Sequence, residues 1–242
     1  MSVEQDLRRL WKAAFGDDDA FLDKFFSTAY APQRCRYLTE NGRITAALYW
    51  LDCHTEAGRF AYLYAVATDP AHRGKGLCKA LMAQTHDHLA RLGYAGAILV
   101  PGEEGLREMY KKMGYSSFSG MDSFRCTAGA PVSIKRVCAE EYGRMRAKLL
   151  PRGGVKQEGQ NLAFLSTYAT LYTGDHFTLA AVEEDGRLLG LEFLGDPSVA
   201  SGILGTLGIK DGSFRIPGGA PFAMYRSLDG TPAPAYFGLA FD

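Results

Sequence analysis

The sequence has little of what marks membrane proteins, secreted proteins or nucleic-acid-binding proteins. It contains no run of about eighteen apolar residues, so we expect no transmembrane helix. Its first residues, MSVEQDLRRLWK, lack the apolar core of a signal peptide. Lysine plus arginine and aspartate plus glutamate both total 27, so the net charge is zero. No basic tract indicates a nucleic-acid or membrane partner.

Cysteine is scarce and scattered. Five cysteines occur in 242 residues with no C-x-x-C pair, which argues against a disulfide framework and against a zinc site. They are Cys35, Cys53, Cys78, Cys126 and Cys138. We therefore predict a soluble cytoplasmic protein that uses no metal. The length allows one large domain or two small ones.

Two common nucleotide-binding motifs are also missing. There is no G-x-x-x-x-G-K-[ST] motif, and no G-x-G-x-x-G follows the central strand. What is present is a strand, a loop and a long helix between residues 62 and 92. Residues 62–67, YLYAVA, suit a strand buried on both faces, and Pro70 stops it. The helix carries leucines at helical spacing, with His88 predicted to pack on the same stripe, and Gly93 ends it.

The turn into this helix favours an anion. A helix N-terminus leaves backbone N–H groups unpaired and carries partial positive charge. Gly74 and Gly76 let a ligand approach the backbone closely, while Arg73 and Lys75 add charge, so a phosphate or pyrophosphate is the predicted guest. The alternative is an ordinary glycine-rich connection with two solvated cations.

The same residues resemble a known family. Residues 73–78, RGKGLC, are similar to the acetyl-CoA loop of the GNAT N-acetyltransferase superfamily, (Gln or Arg)-x-x-Gly-x-(Gly or Ala). The preceding VATDPAHRGKGL and the later MYKKMGY, residues 109–115, also resemble that family, and the resemblance covers residues 4–126. Cys78 stands where the family usually has glycine or alanine, and it is small enough to fit.

The resemblance implies a fold and a cofactor site. The fold would be α/β (α+β), with a mixed, mainly antiparallel sheet flanked by helices. Two central strands would splay so that the pantetheine of acetyl-CoA lies between them, bound by backbone groups of the first. The implied acetyl-CoA-binding residues are Val66, Ala67, Thr68, Arg73, Gly74, Lys75, Gly76, Leu77, Cys78 and Lys79. Pro101-Gly102 replaces an asparagine-bearing motif of many members, which puts that side-chain contact in doubt.

Periodicity outlines the rest of the first half. Two amphipathic helices come first, and Asn41-Gly42 between strand-like runs predicts a hairpin. Three antiparallel strands should lead into the long helix, which crosses over to a parallel strand at residues 94–100. A short helix around Tyr110 follows, and residues 115–126 should complete the first sheet.

The second half looks like a weaker copy of the first. We predict domains at 1–128 and 129–242, the first GNAT-like and catalytic, the second a degenerate GNAT-like domain that closes the acceptor pocket or forms an interface. Strands are predicted at residues 132–137, 177–182, 187–194, 213–216, 222–228 and 235–241, with helices at 139–150 and 199–207. The turn Glu184-Asp185-Gly186 predicts a hairpin between the strands at 177–182 and 187–194. Asp196 stands where an anion would bind, so we assign no cofactor there. A generic α+β domain of unrelated ancestry is the alternative.

The resemblance also implies a catalytic residue. Tyr110 occupies the place of the family's general-acid tyrosine, whereas spacing alone reads it as a core tyrosine. A backbone N–H near Val66 is the candidate oxyanion donor. No residue stands out as the general base among the histidines, tyrosines and glutamates near strand ends, and we predict a water chain in that role.

The predicted function is therefore direct transfer of an acetyl group from acetyl-CoA to an amine in a ternary complex. The acceptor would be a small amine or a peptide terminus. A non-catalytic acetyl-CoA sensor or scaffold is the alternative. A nucleic-acid binder is a weak third possibility, because the sequence has no basic face and its aromatic residues fit a core.

Overall fold

The computed structural model describes residues 2–241, which form two compact units. The first comprises residues 2–99, 103–116 and 225–233, and the second residues 100–102, 117–224 and 234–241. This division differs from the predicted domains 1–128 and 129–242, because each unit recruits segments that are distant in sequence. Within residues 2–241 no helix is both long and apolar enough to cross a bilayer.

The first unit opens with two capped helices, α1 (Val3–Phe15) and α2 (Asp19–Thr28). The Ser2 side chain accepts a hydrogen bond from the Gln5 N–H in a capping box, and Asp18 caps α2. The predicted apolar face of α1 is confirmed, since Leu7, Leu10 and Trp11 are buried.

Three antiparallel strands follow, as predicted: β1 (Cys35–Glu40), β2 (Arg43–Thr55) and β3 (Gly58–Thr68). Asn41 and Gly42 have φ angles of 51° and 74°, the left-handed pair that a tight hairpin turn needs. β3 runs into α3 (Leu77–Arg91), which crosses over to β4 (Gly96–Leu99), parallel to β3. α4 (Glu104–Lys111) completes the predicted order of this half.

The predicted packing of His88 is confirmed, because this half-buried side chain packs on Trp50 with ring centroids 5.9 Å apart. His86, 5% exposed, lies on the more deeply buried stripe of α3 with Leu81, Met82 and Leu89, a position that the spacing of the leucines did not predict.

The second unit contains β6 (Lys135–Arg136), α5 (Ala139–Leu149), α6 (Gln160–Leu165), β7 (Thr170–Gly174), β8 (Phe177–Glu184), β9 (Arg187–Gly195) and α7 (Ala200–Leu207). It also holds most of β5 (Ser116–Thr127) and β10 (Asp211–Ser227). Its strands follow the order β10-β9-β8-β7-β6, and β5 pairs with β10. The predicted hairpin is confirmed, with Asp185 and Gly186 at φ 50° and 72°.

Five of the predicted strands need correction. β5 pairs with β10 and does not complete the first sheet; β10, whose residues 225–227 belong to the first unit, neighbours β4 there. The two strands predicted at 213–216 and 222–228 are one strand, β10, and the strand predicted at 132–137 shrinks to β6. Residues 235–241 form no strand and are held instead by contacts such as Gln157 Nε2 donating to the Leu239 carbonyl at 2.9 Å.

The predicted fold class is confirmed: both units are mixed α/β structures whose sheets are mainly antiparallel and flanked by helices. Each has one parallel crossover within its sheet, β3–α3–β4 in the first unit and β9–α7–β10 in the second.

Candidate functional site

The central strand of the first unit carries a β-bulge near its end. Tyr64 pairs with Tyr49 and Ala67 with Ala47, so two residues of β3, 65 and 66, oppose the single residue 48 of β2. Ala65 has φ 47°, in the left-handed region that residues with a Cβ rarely adopt. A bulge of this kind leaves an extra residue outside the ladder, so its backbone groups can face a ligand.

The strand β3 pairs with β4 only near its own beginning. Their parallel ladder runs from Phe60 and Gly96 to Tyr62 and Ile98, while β3 continues to Thr68. The bulge lies beyond the last paired residues. Ligands of α/β sheets bind beyond the carboxyl ends of strands where neighbours part, which is the place that the bulged segment occupies.

The turn into α3 has the geometry of an anion site. Gly74 and Gly76 have φ angles of 79° and 77°, and Gly76 is the N-cap residue, with no side chain capping the helix. A Cβ built on either glycine would meet no atom within 4 Å, so the turn faces open space. Arg73 and Lys75 are exposed beside it. These features fit a bound anion such as a phosphate or pyrophosphate.

Asp69 anchors this turn to the rest of the unit. Its backbone N–H donates to the Thr45 carbonyl at 2.8 Å, and its Oδ1 accepts from the Ala71 N–H at 3.0 Å. Arg9 Nη1 of α1 donates to Asp69 Oδ2 at 3.0 Å, and His72 contacts the same carboxylate at 3.4 Å. Two elements distant in sequence therefore hold the start of the loop in place.

Electrostatics strengthens this anchor. The hydrogen bond from Arg9 is the largest cause of the lowered pKa of Asp69. Burial alone would raise the pKa of Asp6, but hydrogen bonds from the Ile44 N–H and from Arg9 outweigh burial and lower the pKa. Both carboxyl groups are thus ionised near neutral pH, and Arg9 remains paired with them.

A cluster of buried side chains lies behind the turn. Cys78 lies in the first turn of α3, and Tyr110 lies in α4. Burial first, and Cys78 second, raise the pKa of Tyr110 well above its usual range. The Tyr110 side chain, 6% exposed, therefore stays protonated at every working pH and can donate a hydrogen bond.

The predicted site residues fall on one connected stretch of the first unit. Val66, Ala67 and Thr68 end β3, from the bulge onward. Arg73, Gly74 and Lys75 form the turn, and Gly76 caps the helix. The remaining three, Leu77, Cys78 and Lys79, occupy its first turn. Tyr110 lies outside this stretch, in α4.

Sequence reasoning overlooked the supporting residues. From the sequence, Asp69 was interpreted only as part of the segment that ends the central strand, and Tyr115 only as the start of a strand. An aspartate directly before a proline in a turn often caps the residues that follow, so Asp69 had a local signal. The contacts of Tyr115 with α3 and α4 depend on tertiary packing and had none.

Comparisons with known proteins agree with this geometry. Residues 2–118 match the sequence profile of the acetyltransferase (GNAT) domain family. No curated protein sequence matches the chain.

Solved structures extend the similarity over nearly the whole chain. A GCN5-related N-acetyltransferase from Kribbella flavida gives a TM-score of 0.71 at 16% identity, over 93% of this chain and 68% of that chain. Another from Anabaena variabilis gives 0.70 at 14% identity, over 94% and 71%. A third, from Sphaerobacter thermophilus, gives 0.57 at 12% identity, over 98% and 97%. At these identities the similarity is one of fold.

Proposed function

We propose that this chain, whose residues 2–118 match the acetyltransferase (GNAT) domain family, transfers an acetyl group from acetyl-CoA to an amine by direct attack in a ternary complex. The observation that carries the proposal is the uncapped N-terminus of α3 behind a glycine turn, directly after a bulged strand. Together they offer one site for a pyrophosphate and one for an extended acyl-bearing arm.

Acetyl-CoA would supply the activated acyl group as a thioester. The backbone N–H groups of residues 76–79 and the side chains of Arg73 and Lys75 would bind the pyrophosphate. The backbone of residues 66–68 would bind the pantetheine arm. The N–H of Val66, next to the strained Ala65, is our candidate donor to the carbonyl oxygen as negative charge develops on it.

Tyr110 would donate a hydrogen bond to the leaving thiolate. Its raised pKa makes it a weak acid, while a thiol titrates near pKa 8.5, so full proton transfer from the phenol is uphill. The useful role of the phenol is a positioned hydrogen bond that strengthens as charge accumulates on sulfur.

The amine must lose a proton, and we assign no side chain to that step. An amine of pKa near 10.4 is neutral in only about one molecule in 2,500 at pH 7. A chain of water molecules leading to solvent would carry the proton away. The proposed acceptor is a small amine or a peptide terminus, the proposed compartment is the cytoplasm, and no nucleic acid, membrane or metal takes part.

The first test is calorimetric titration of acetyl-CoA into the full-length protein and its Arg73→Ala variant. We expect micromolar binding by the parent and weakening of about tenfold by loss of a charge-assisted contact. Arg91→Ala is the matched control, because Arg91 is also exposed but ends the same helix. No binding by the parent would mean that the turn is only a connection, and equal weakening by both variants would place the site elsewhere.

The second test separates an enzyme from a sensor. Tyr110→Phe should retain acetyl-CoA affinity within about twofold and lower turnover on a panel of small amines and peptide termini at least tenfold. Binding by the parent without turnover of any acceptor would favour the acetyl-CoA sensor or scaffold. Unchanged turnover in Tyr110→Phe would remove Tyr110 from the mechanism while leaving the transferase proposal standing.

A further inference from the structure

Two buried polar side chains behind Tyr110 have no part in the mechanism described so far. His86 of α3 is 5% exposed and Tyr115, between α4 and β5, is 3% exposed. The His86 Nε2 and the Tyr115 hydroxyl lie 2.7 Å apart in a hydrogen bond whose direction depends on the tautomer of the imidazole. Their ring centroids are 5.5 Å apart, so the two side chains form one packed pair.

This pair packs directly against Tyr110. The Tyr110 and Tyr115 rings meet edge to face with centroids 5.8 Å apart and an interplanar angle of 65°. Aromatic pairs favour this geometry, and it fixes the orientation of one ring relative to the other. A continuous series of contacts thus runs from His86 through Tyr115 to Tyr110.

One helix carries both His86 and the turn that forms the anion site. Cys78 lies in the first turn of α3, and His86 lies about 12 Å further along the same helix. The element whose N-terminus forms the anion site therefore also supports the back of Tyr110. A shift of α3 would move both, so the helix couples the position of the anion site to that of the phenol.

The pair keeps its hydrogen bond across the working pH range. Burial, with a smaller contribution from the cation of Arg226, lowers the pKa of His86 to about 4. Burial, opposed only weakly by Arg226, raises the pKa of Tyr115 well above its usual range. Both groups are neutral near pH 7. Tyr110, Cys78 and Arg226 are the titratable groups that act on them, and Arg226 is itself held by the Met113 carbonyl.

We propose that His86 and Tyr115 are positioning residues that hold the Tyr110 phenol in the orientation required for its hydrogen bond to the leaving thiolate. This proposal rests on the proposed function through the role given to Tyr110. No proton passes through the pair. His86 fixes the hydroxyl of Tyr115, the ring of Tyr115 then fixes the ring of Tyr110, and α3 sets the position of all three.

The first test needs no activity. 3-Fluorotyrosine placed at position 110 of the full-length protein reports the environment of that ring by fluorine NMR. We expect a shift dispersed from that of the denatured protein, and in Tyr115→Phe and His86→Leu a return towards the denatured value. Phenylalanine keeps the neighbouring ring, so its effect reports the loss of the anchored hydroxyl alone. His86→Gln, which restores a hydrogen-bonding group, should recover the parental spectrum.

Tyr94→Phe is the matched control. The Tyr94 hydroxyl also belongs to the first unit, where it accepts from Trp50 Nε1 at 3.1 Å and donates to Asp52. Its loss disturbs a comparable buried network without contacting Tyr110, so the fluorine spectrum should not change. An unchanged spectrum in both Tyr115→Phe and His86→Leu would overturn the proposal, as would an equal response in Tyr94→Phe.

The second test uses turnover with whichever amine the acceptor panel identifies. Tyr115→Phe should lower kcat about tenfold with KM for acetyl-CoA almost unchanged, and His86→Gln should restore most of it. In a Tyr110→Phe background, Tyr115→Phe should have no further effect on kcat. Equal losses in both backgrounds would overturn the proposal. Absence of turnover in the parent would overturn the proposed function, while the fluorine spectrum would still decide whether the pair holds Tyr110.

Discussion

Both units contain a hairpin, a bulged strand, a turn and a helix that crosses over to a parallel strand. In the first unit these are β2, β3, α3 and β4; in the second they are β8, β9, α7 and β10. The bulge lies in the second strand of each hairpin, at residues 65 and 66 of β3 and at residue 191 of β9. The shared order supports the proposal that the second half is a degenerate copy of the first.

The two turns differ in the chemistry they can perform. Gly76 opens α3 in a left-handed conformation without a side-chain cap, and cations flank it. In the second unit Asp196 Oδ1 accepts a hydrogen bond from the Ser198 N–H at 2.9 Å, so a carboxylate already occupies the place of an anion. The residue before α7, Val199, has a right-handed conformation. A crossover alone therefore makes no anion site; the turn residues decide it.

The surroundings of the two bulges also differ. In β9 the residue after the bulge is Glu192, fully buried and bound in two places by Arg146 of α5, with N–O distances of 2.5 and 2.8 Å. Tyr236 donates a third hydrogen bond to Glu192 at 3.0 Å. The bulge of β3 instead borders half-buried residues. The difference teaches that one architecture can support either a binding edge or a sealed core.

The largest effect should come from opening the sealed bulge. Arg146→Met leaves the Glu192 carboxylate buried without its cation, and we expect a loss of about 3–5 kcal/mol in the free energy of unfolding of the second unit. Amide hydrogen exchange of β8 and β9, together with urea denaturation, measures this loss. The affinity of the folded protein for acetyl-CoA should not change.

Arg144→Met is the matched control for this prediction. Arg144 lies on the same helix in an exposed pair with Glu140, and its loss should cost under about 1 kcal/mol. Replacing both members of the buried pair, as Arg146→Met with Glu192→Leu, should recover much of the stability. If Arg144→Met cost as much as Arg146→Met, the buried pair would have no special role.

The second-largest expected effect is a loss of stability of the first unit at acidic pH. The pKa of His86 is lowered to about 4 from an ordinary value of 6.5, so between these values the unfolded chain binds more protons and stability falls as pH falls. Once the pH is below about 4, His86 accounts for about 3 kcal/mol of lost stability in the first unit. Asp6 and Asp69 contribute only at still lower pH, because their pKa values are below 3.8.

Hydrogen exchange of α3 between pH 7 and pH 4 measures this loss. His86→Gln should flatten the pH dependence, while His176→Gln, at an exposed position of the second unit, should leave it unchanged. A slope that persists in His86→Gln would assign the acid sensitivity to other groups.

The third effect concerns binding at the glycine turn. Gly76→Asp brings a negative charge and a Cβ to the N-terminus of α3, and we expect acetyl-CoA affinity to fall about thirtyfold, or about 2 kcal/mol. Gly93→Asp is a closely matched control, because Gly93 has the same φ of 77° and equally open surroundings at the other end of the helix. Its backbone strain is comparable, so retained binding would show that location and charge matter. Equal loss in both would point to strain alone.

The sequence predicted the turns of both units where a local signal existed. Asn41-Gly42 and Asp185-Gly186 formed the predicted hairpins, because such pairs adopt left-handed backbone at little cost. The glycine turn formed as predicted for the same reason. Ala65 carried no comparable signal, since alanine has no preference for the conformation that the bulge imposes on it.

Pairing between strands that are distant in sequence was the other feature that the sequence did not predict. Pro217 and the two glycines after it read as a break between strands, yet β10 passes through them as one strand of 17 residues. The backbone there is supported by Asp122 Oδ1, which accepts from the N–H groups of Gly219 and Ala220 at 3.1 and 3.0 Å. No local pattern predicts a partner about a hundred residues away, which is also why the pairing of β5 with β10 was not predicted.

The smallest effect should separate the side chains of the turn from its backbone. Lys75 is 54% exposed and lies 4.0 Å from Glu40, so solvent and this carboxylate screen its charge. Lys75→Ala should weaken acetyl-CoA binding about threefold and reduce its dependence on salt, whereas Lys112→Ala, at another exposed position, should do neither. Glu40→Gln should instead strengthen acetyl-CoA binding, because it removes the negative charge beside Lys75.

Ser198→Lys in the second unit should create no second acetyl-CoA site, because Asp196 and the right-handed Val199 would remain. Binding of two equivalents of acetyl-CoA would contradict the view that an uncapped glycine at the start of the helix is required for the site.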